Sequence, residues 1–291
     1  MNMEVQDILA RVRRIEIKTK GLSNQLFSGA YHSSFKGRGM SFSEVREYAA
    51  GDDVRHIDWN VTARSGQPFV KVYEEERELT IMLMIDISDS TFFGSGAYQK
   101  SEYITELAAV LAFSASQNQD KVGLILFLDK VELYIPPKKG RQHILRIIRE
   151  LLVQRPGVRK SGLAHPLRFL KGVMHKRAIC FVCSDFQFDI PESTLRIVAK
   201  THELIGFQIL DPLEYAWPSM GILPFRDAET GSQLLVDTSD PAWMQQMRLN
   251  QEQQVQSVRS KFIRAHADFL QIDMNASYTR SLIQFFKRRA M

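Results

Sequence analysis

At 291 residues, with 38 Lys and Arg against 33 Asp and Glu and a formal net charge of +5, the chain can bury a sizeable core and is too weakly basic to argue for nucleic acid. Hydrophobic residues make up 44%, yet no segment approaches the ~18 uninterrupted apolar residues of a membrane span, and the charged N-terminus has no signal-peptide core. The two cysteines, Cys180 and Cys183, sit in an apolar run that reads as a strand, where positions three apart face opposite ways; no second pair completes a zinc site, and two thiols suit a reducing cytoplasm.

Taken in chain order, residues 1–20 are amphipathic and predict a short helix, and the rest of the stretch to 78 is polar, glycine-dotted and irregular. Residues 79–291 alternate short apolar runs with amphipathic helices, the pattern of a mostly parallel α/β sheet with helices on both faces. The composition thus predicts an N-terminal region over 1–78 and a larger domain over 79–291. Within the latter, 79–85 is apolar on both faces, as a central parallel strand should be. A helix is expected over 101–117, a strand over 122–127, and an edge strand over 131–135 stopped by Pro136 and Pro137. Next come a helix over 140–153 with Ile144, Ile147, Ile148 and Leu151 on one face, a strand over 177–183, a helix over 191–200 and a strand over 204–210. After Pro212 the rhythm changes. Runs at 222–226 and 233–236 flank Glu229-Thr-Gly231 as a hairpin insertion, followed by a long helix over 241–267, a strand over 269–274 and a helix over 277–289.

In open parallel sheets, ligands bind beyond the carboxyl ends of the strands. The first strand ends in Asp86-Ile-Ser88-Asp-Ser90, a later one in Cys183-Ser184-Asp185, and between them Ser161 follows a loop and opens a helix. Asp86, Ser88, Ser90, Ser161 and Asp185 are an all-oxygen set, the donors that hard cations prefer. Two carboxylates leave an ion electrophilic enough to accept a further carboxylate from another protein. The alternative is a capping turn, because Ser and Asp are also natural helix N-caps.

Asp86-x-Ser88-x-Ser90 after a hydrophobic strand resembles the first motif of von Willebrand factor A domains and their metal-ion-dependent adhesion site (MIDAS). Asp185 resembles the third motif, and Ser161 stands where that family has a threonine. Upstream, Tyr48-Ala-Ala-Gly-Asp-Asp-Val-Arg-His-Ile-Asp-Trp-Asn60 with Ala63-Arg64 is similar to the signature of the bacterial domain-of-unknown-function family fifty-eight. The resemblance spans roughly residues 36 to 225. It implies a von Willebrand factor A-like, Rossmann-like domain, with magnesium as the ion and manganese as the alternative. It also implies a MoxR-type AAA+ ATPase as partner, in chaperone-like assembly or stress tolerance.

The signature segment itself is either a partner surface formed by Asp52, Asp53, Arg55, Asp58, Trp59 and Arg64, or an internal clasp. Ile57 and Trp59 favour the clasp, with Asp58 and Arg64 as its pair. Two enzyme patterns fail on single residues. Gly94-x-x-x-x-Gln99-Lys100-Ser101 lacks the glycine a phosphate-binding loop needs before its lysine. A haloacid dehalogenase-type phosphatase needs a second aspartate where Ser88 stands. The expectation is therefore a cytoplasmic, non-enzymatic, metal-dependent protein-binding adaptor with no integral membrane segment, able to associate with membrane proteins peripherally. A metal-free scaffold is the alternative, and a magnesium-dependent phosphatase a further one.

Overall fold

Fully apolar runs explain why the centre of the sheet forms where it does. Thr80–Asp86 (β3), Lys121–Phe127 (β4), Ile179–Ser184 (β6) and Glu203–Leu210 (β7) are buried along almost their whole lengths, as strands covered on both faces must be. The computed structural model describes residues 10–16, 18, 39–76, 78–96, 98–154, 161–215, 218–226 and 233–290. Val131–Lys138 (β5) and Asp268–Asp273 (β10) complete a six-stranded sheet in the order β10-β7-β6-β3-β4-β5. All neighbours are parallel except β5, which runs antiparallel to β4. Counted within this sheet alone, the order is 3-2-1-4-5-6, so its direction of growth reverses between β3 and β6. A doubly wound sheet opens a crevice there, at the carboxyl ends of its strands.

Alternation along the strands sends one set of side chains to each face. On one face Met82, Met84, Ile125, Phe127, Cys180 and Val182 pack against the helices Ala164–Val173 (α5), Glu192–Ala199 (α6) and Pro241–Arg264 (α7). Gly206 in β7 belongs to this packing: a Cβ there would meet the Phe262 ring at 2.6 Å. The opposite face takes Lys100–Gln117 (α3), Arg141–Val153 (α4) and Tyr278–Ala290 (α8); Phe181 and Phe207 meet Phe286 and Phe285 there edge to face. The inward faces of α4 and α8 follow from apolar residues at helical spacing, such as Ile144, Ile147, Ile148 and Leu151.

Two expectations are corrected. β5 does not stop at the two prolines but runs through Pro136 and Pro137 to Lys138. An edge strand tolerates proline because one row of its N–H groups has no ladder partner to lose. The opening helix, residues 10–16 (α1), groups with residues 79–291 and not with the rest of 1–78. Its Val12 and Ile15 are buried, and Glu16 pairs with Arg141 at 2.6 Å. Ile222–Arg226 (β8) and Gln233–Asp237 (β9) form the antiparallel pair of the expected insertion; its turn at 229–231 lies outside the described residues.

Phe35–Glu78 forms a separate compact unit. It is less irregular than its composition suggests. Gly39–Glu47 (β1) pairs antiparallel with Phe69–Glu76 (β2), and Trp59–Ser65 (α2) lies between them in sequence. Asp58 caps α2 by accepting from the backbone N–H of Asn60 and Val61, and Gly66 closes it in the left-handed region at φ 72°.

Candidate functional site

β3 delivers Asp86 to the carboxyl edge of the sheet, where the carboxylate is buried and meets donors from three segments. Its Oδ1 accepts from the Ser88 backbone N–H at 2.9 Å and from the Ser161 hydroxyl at 2.9 Å; its Oδ2 accepts from the Ser184 hydroxyl at 2.6 Å. Ser88 Oγ and Ser90 Oγ lie 3.1 Å apart. The turn is held by Thr91, whose hydroxyl donates to the Ser88 carbonyl at 2.7 Å. Four residues singled out in the sequence, Asp86, Ser88, Ser90 and Ser161, therefore form one hydrogen-bonded group at the reversal of the sheet.

Asp185 reaches the same place from β6 but is held differently. Its Oδ2 lies 2.6 Å from Lys100 Nζ, and both side chains are fully buried. The backbone after it is strained: Phe186 has φ 55°, a left-handed conformation costly for a bulky residue. Ser184 Oγ accepts from the Phe186 N–H at 2.8 Å, which fixes that turn and ties it to Asp86. Burial, and then the charge of Asp185, push the Asp86 carboxyl up to about 6, against the pull of the Ser184 and Ser88 donors. Two buried acids acting on each other at one site is an arrangement that a cation relieves.

The residues that sequence reasoning missed are Lys100, Ser184 and Glu214. Lys100 Nζ contacts Glu214 Oε1 at 2.6 Å as well as Asp185. Burial lowers the Lys100 ammonium, but the two carboxylates outweigh it and hold its pKa above the usual value. Burial raises the Glu214 carboxyl in turn. Glu214 Oε2 accepts from the Asp211 N–H at 2.9 Å, and Asp211 accepts from Ser95 N and Oγ. Lys100 was visible only as the lysine of a failed phosphate-loop pattern. Gly94 of that pattern serves a close approach instead, since a Cβ there would meet Tyr98 O at 2.4 Å.

As to metals, every candidate donor is an oxygen, which suits a hard divalent cation and not zinc or copper. Among the described residues no three His, Cys, Asp or Glu side chains gather to hold an ion, so any coordination here would have to draw on the serine hydroxyls. Cys180 and Cys183 are buried on opposite faces of β6, and burial pushes both thiols up.

The signature segment departs from the expected clasp. Asp58 caps α2 and pairs with Lys71 at 3.4 Å, while Arg64 is exposed. Trp59 is 70% exposed. Asp52 takes Arg46 in a two-pronged ion pair at 2.7 and 2.8 Å, and Asp53 accepts from the Arg55 N–H at 2.9 Å. The reason is local: a carboxylate at a helix N-terminus is already satisfied by backbone N–H groups, and the strand following α2 brings a lysine alongside it.

Residues 44–259 match the family model described as "Protein of unknown function DUF58". The chain belongs to this family. The uncharacterized protein Rv1480 of Mycobacterium tuberculosis is 30% identical over 227 residues, which cover 77% of this chain and 72% of that protein. The uncharacterized protein YeaD of Bacillus subtilis is 27% identical over 111 residues, 38% of this chain and 26% of its own length. Among solved structures, the BatB protein of Bacteroides thetaiotaomicron has a TM-score of 0.45 at 13% identity, over 73% of this chain and 98% of that one. The VWA domain of SpRpn10 has a TM-score of 0.38 at 10% identity, over 72% and 95%. Both scores fall below 0.5, so the fold of this DUF58 protein rests on its own sheet order. Among the described residues no helix is long and apolar enough to cross a membrane.

Proposed function

We propose that this DUF58 protein is a non-enzymatic adaptor of the cytoplasm that binds a protein partner through a divalent cation, magnesium or manganese. Asp86, Ser88, Ser90, Ser161 and Asp185 are the residues that would hold the ion, which would supply an electrophilic position for an aspartate or glutamate of the partner. The observation that carries this reading is the hydrogen-bonded gathering of Asp86, Ser88, Ser90 and Ser161 at the reversal of the sheet. A MoxR-type AAA+ ATPase is the partner that the resemblance suggests. The non-enzymatic part rests on the hydroxyls: Ser161 and Ser184 donate to the Asp86 carboxylate, and among the described residues neither shares a hydrogen bond with a histidine or lysine base that would activate it.

Calorimetric titration with magnesium and manganese chloride, on the wild type and on Asp86→Ala, tests the ion. Binding by the wild type alone is the expected result, and heat-silent titrations of both proteins overturn it. Co-purification of the ATPase with and without chelator then tests the partner. One observation favours a metal-free scaffold as the second reading: Asp185 already has a cation, Lys100, and Asp86 already has three internal donors.

A further inference from the structure

Lys100 is fully buried, and a buried lysine is costly unless it is paired. A helix start alone does not call for one. The chain nevertheless turns it inward: Lys100 N donates to Phe93 O at 2.9 Å, and Gly94 lies close against the backbone of Tyr98 and Gln99. Its ammonium then bridges two acids from different strand ends, Asp185 after β6 and Glu214 after β7, each at 2.6 Å. One of these acids belongs to the candidate ion site, and the other does not.

We propose that Lys100 is the internal counter-cation of this site, competing with the divalent ion for Asp185 and sharing itself with Glu214 when the ion is bound. The idea rests on the metal-binding reading above and adds to it what sets the affinity. With Lys100 in place, the Asp185 side chain is held and aimed in the ion-free protein, so the site is preformed. The same positive charge repels an incoming cation, which keeps binding weak and reversible. Glu214 is the second seat that lets the ammonium move off Asp185 without becoming an unpaired buried charge.

Two substitutions separate this role from a merely structural one, because they act in opposite directions. Lys100→Met removes the competitor and should raise magnesium affinity by about tenfold or more. Glu214→Gln leaves Lys100 bound to Asp185 alone and should lower it by a similar factor. Both changes should persist in 0.5 M sodium chloride, since salt screens exposed charges far more than a buried pair. Calorimetry and magnesium-dependent melting shifts read both effects. If Lys100→Met is too unstable without metal, recovery of its fold on adding magnesium supports the proposal, and Lys100→Gln gives a second affinity. Wild-type binding that both variants weaken, or leave unchanged, overturns the counter-cation role while leaving the ion site intact. No binding by any variant overturns both.

Discussion

The Ser184 hydroxyl donates to Asp86 Oδ2 at 2.6 Å while its own oxygen accepts from the Phe186 N–H at 2.8 Å. One serine on β6 thus stabilises the charge of an aspartate on β3 and holds the strained turn beside Asp185. Ser184→Ala should cost roughly 1–3 kcal/mol in urea unfolding at pH 7.5, the range for a lost bond to a buried charged acceptor. At pH 5, where Asp86 is largely protonated, the loss should be smaller. A cost independent of pH would show that the serine serves the turn alone.

The raised Asp86 carboxyl has a definite sign. Its ordinary value is 3.8 and burial, then Asp185, takes it to about 6, so the folded state binds the proton more tightly than the unfolded chain. The stability this contributes is fully present below pH ~4 and is lost as pH rises through ~6. Asp86→Asn removes the dependence, so the metal-free variant should gain on the wild type across that window, by up to ~3 kcal/mol at ~1.4 kcal/mol per pH unit. Melting curves from pH 4 to 8 in chelator check this; parallel curves for the two proteins would count against it. A bound ion favours the ionised form, so the magnesium-induced melting shift should shrink as pH falls through ~6.

Arg64 is exposed and Asp58 caps α2, so the two should respond differently to truncation. Arg64→Ala should stay within ~0.5 kcal/mol of wild type. Asp58→Ala should lose about 0.5–2 kcal/mol, the usual cost of an N-cap. In a variant keeping Trp59 as its sole tryptophan, emission should be red-shifted and freely quenched by iodide. Blue-shifted, protected emission would contradict the exposure of Trp59.

Gly206 lies directly under the Phe262 ring of α7. Gly206→Ala drives a methyl into the Phe262 ring, and overpacking of this kind costs ~1–3 kcal/mol. Adding Phe262→Leu should recover part of that loss because it removes the obstructing ring. Thermal unfolding of the single and double variants measures the coupling, and additive losses would place the strain elsewhere.

The central strands were legible from residue order alone, because a strand covered on both faces is apolar on both, and 81–85 and 178–183 are apolar at every position. Asp86, Ser88 and Ser90 were legible for a related reason: they follow such a strand directly, and the ends of parallel strands share one edge. Asp185 could be nominated by the same rule, and Ser161 as a hydroxyl opening a helix after a loop. Their neighbours could not. Lys100 and Asp185 stand 85 positions apart, and Lys100 and Glu214 stand 114 apart, so no local spacing links them. Asp58 shows the limit at short range too. Charge pattern offered Arg64, one helix further along, but the antiparallel return of β2 put Lys71 beside it. Hydrophobic periodicity is a property of each segment and survives reading in isolation. The pairing of buried charges depends on which strand ends the sheet order makes adjacent, and only the folded chain decides that.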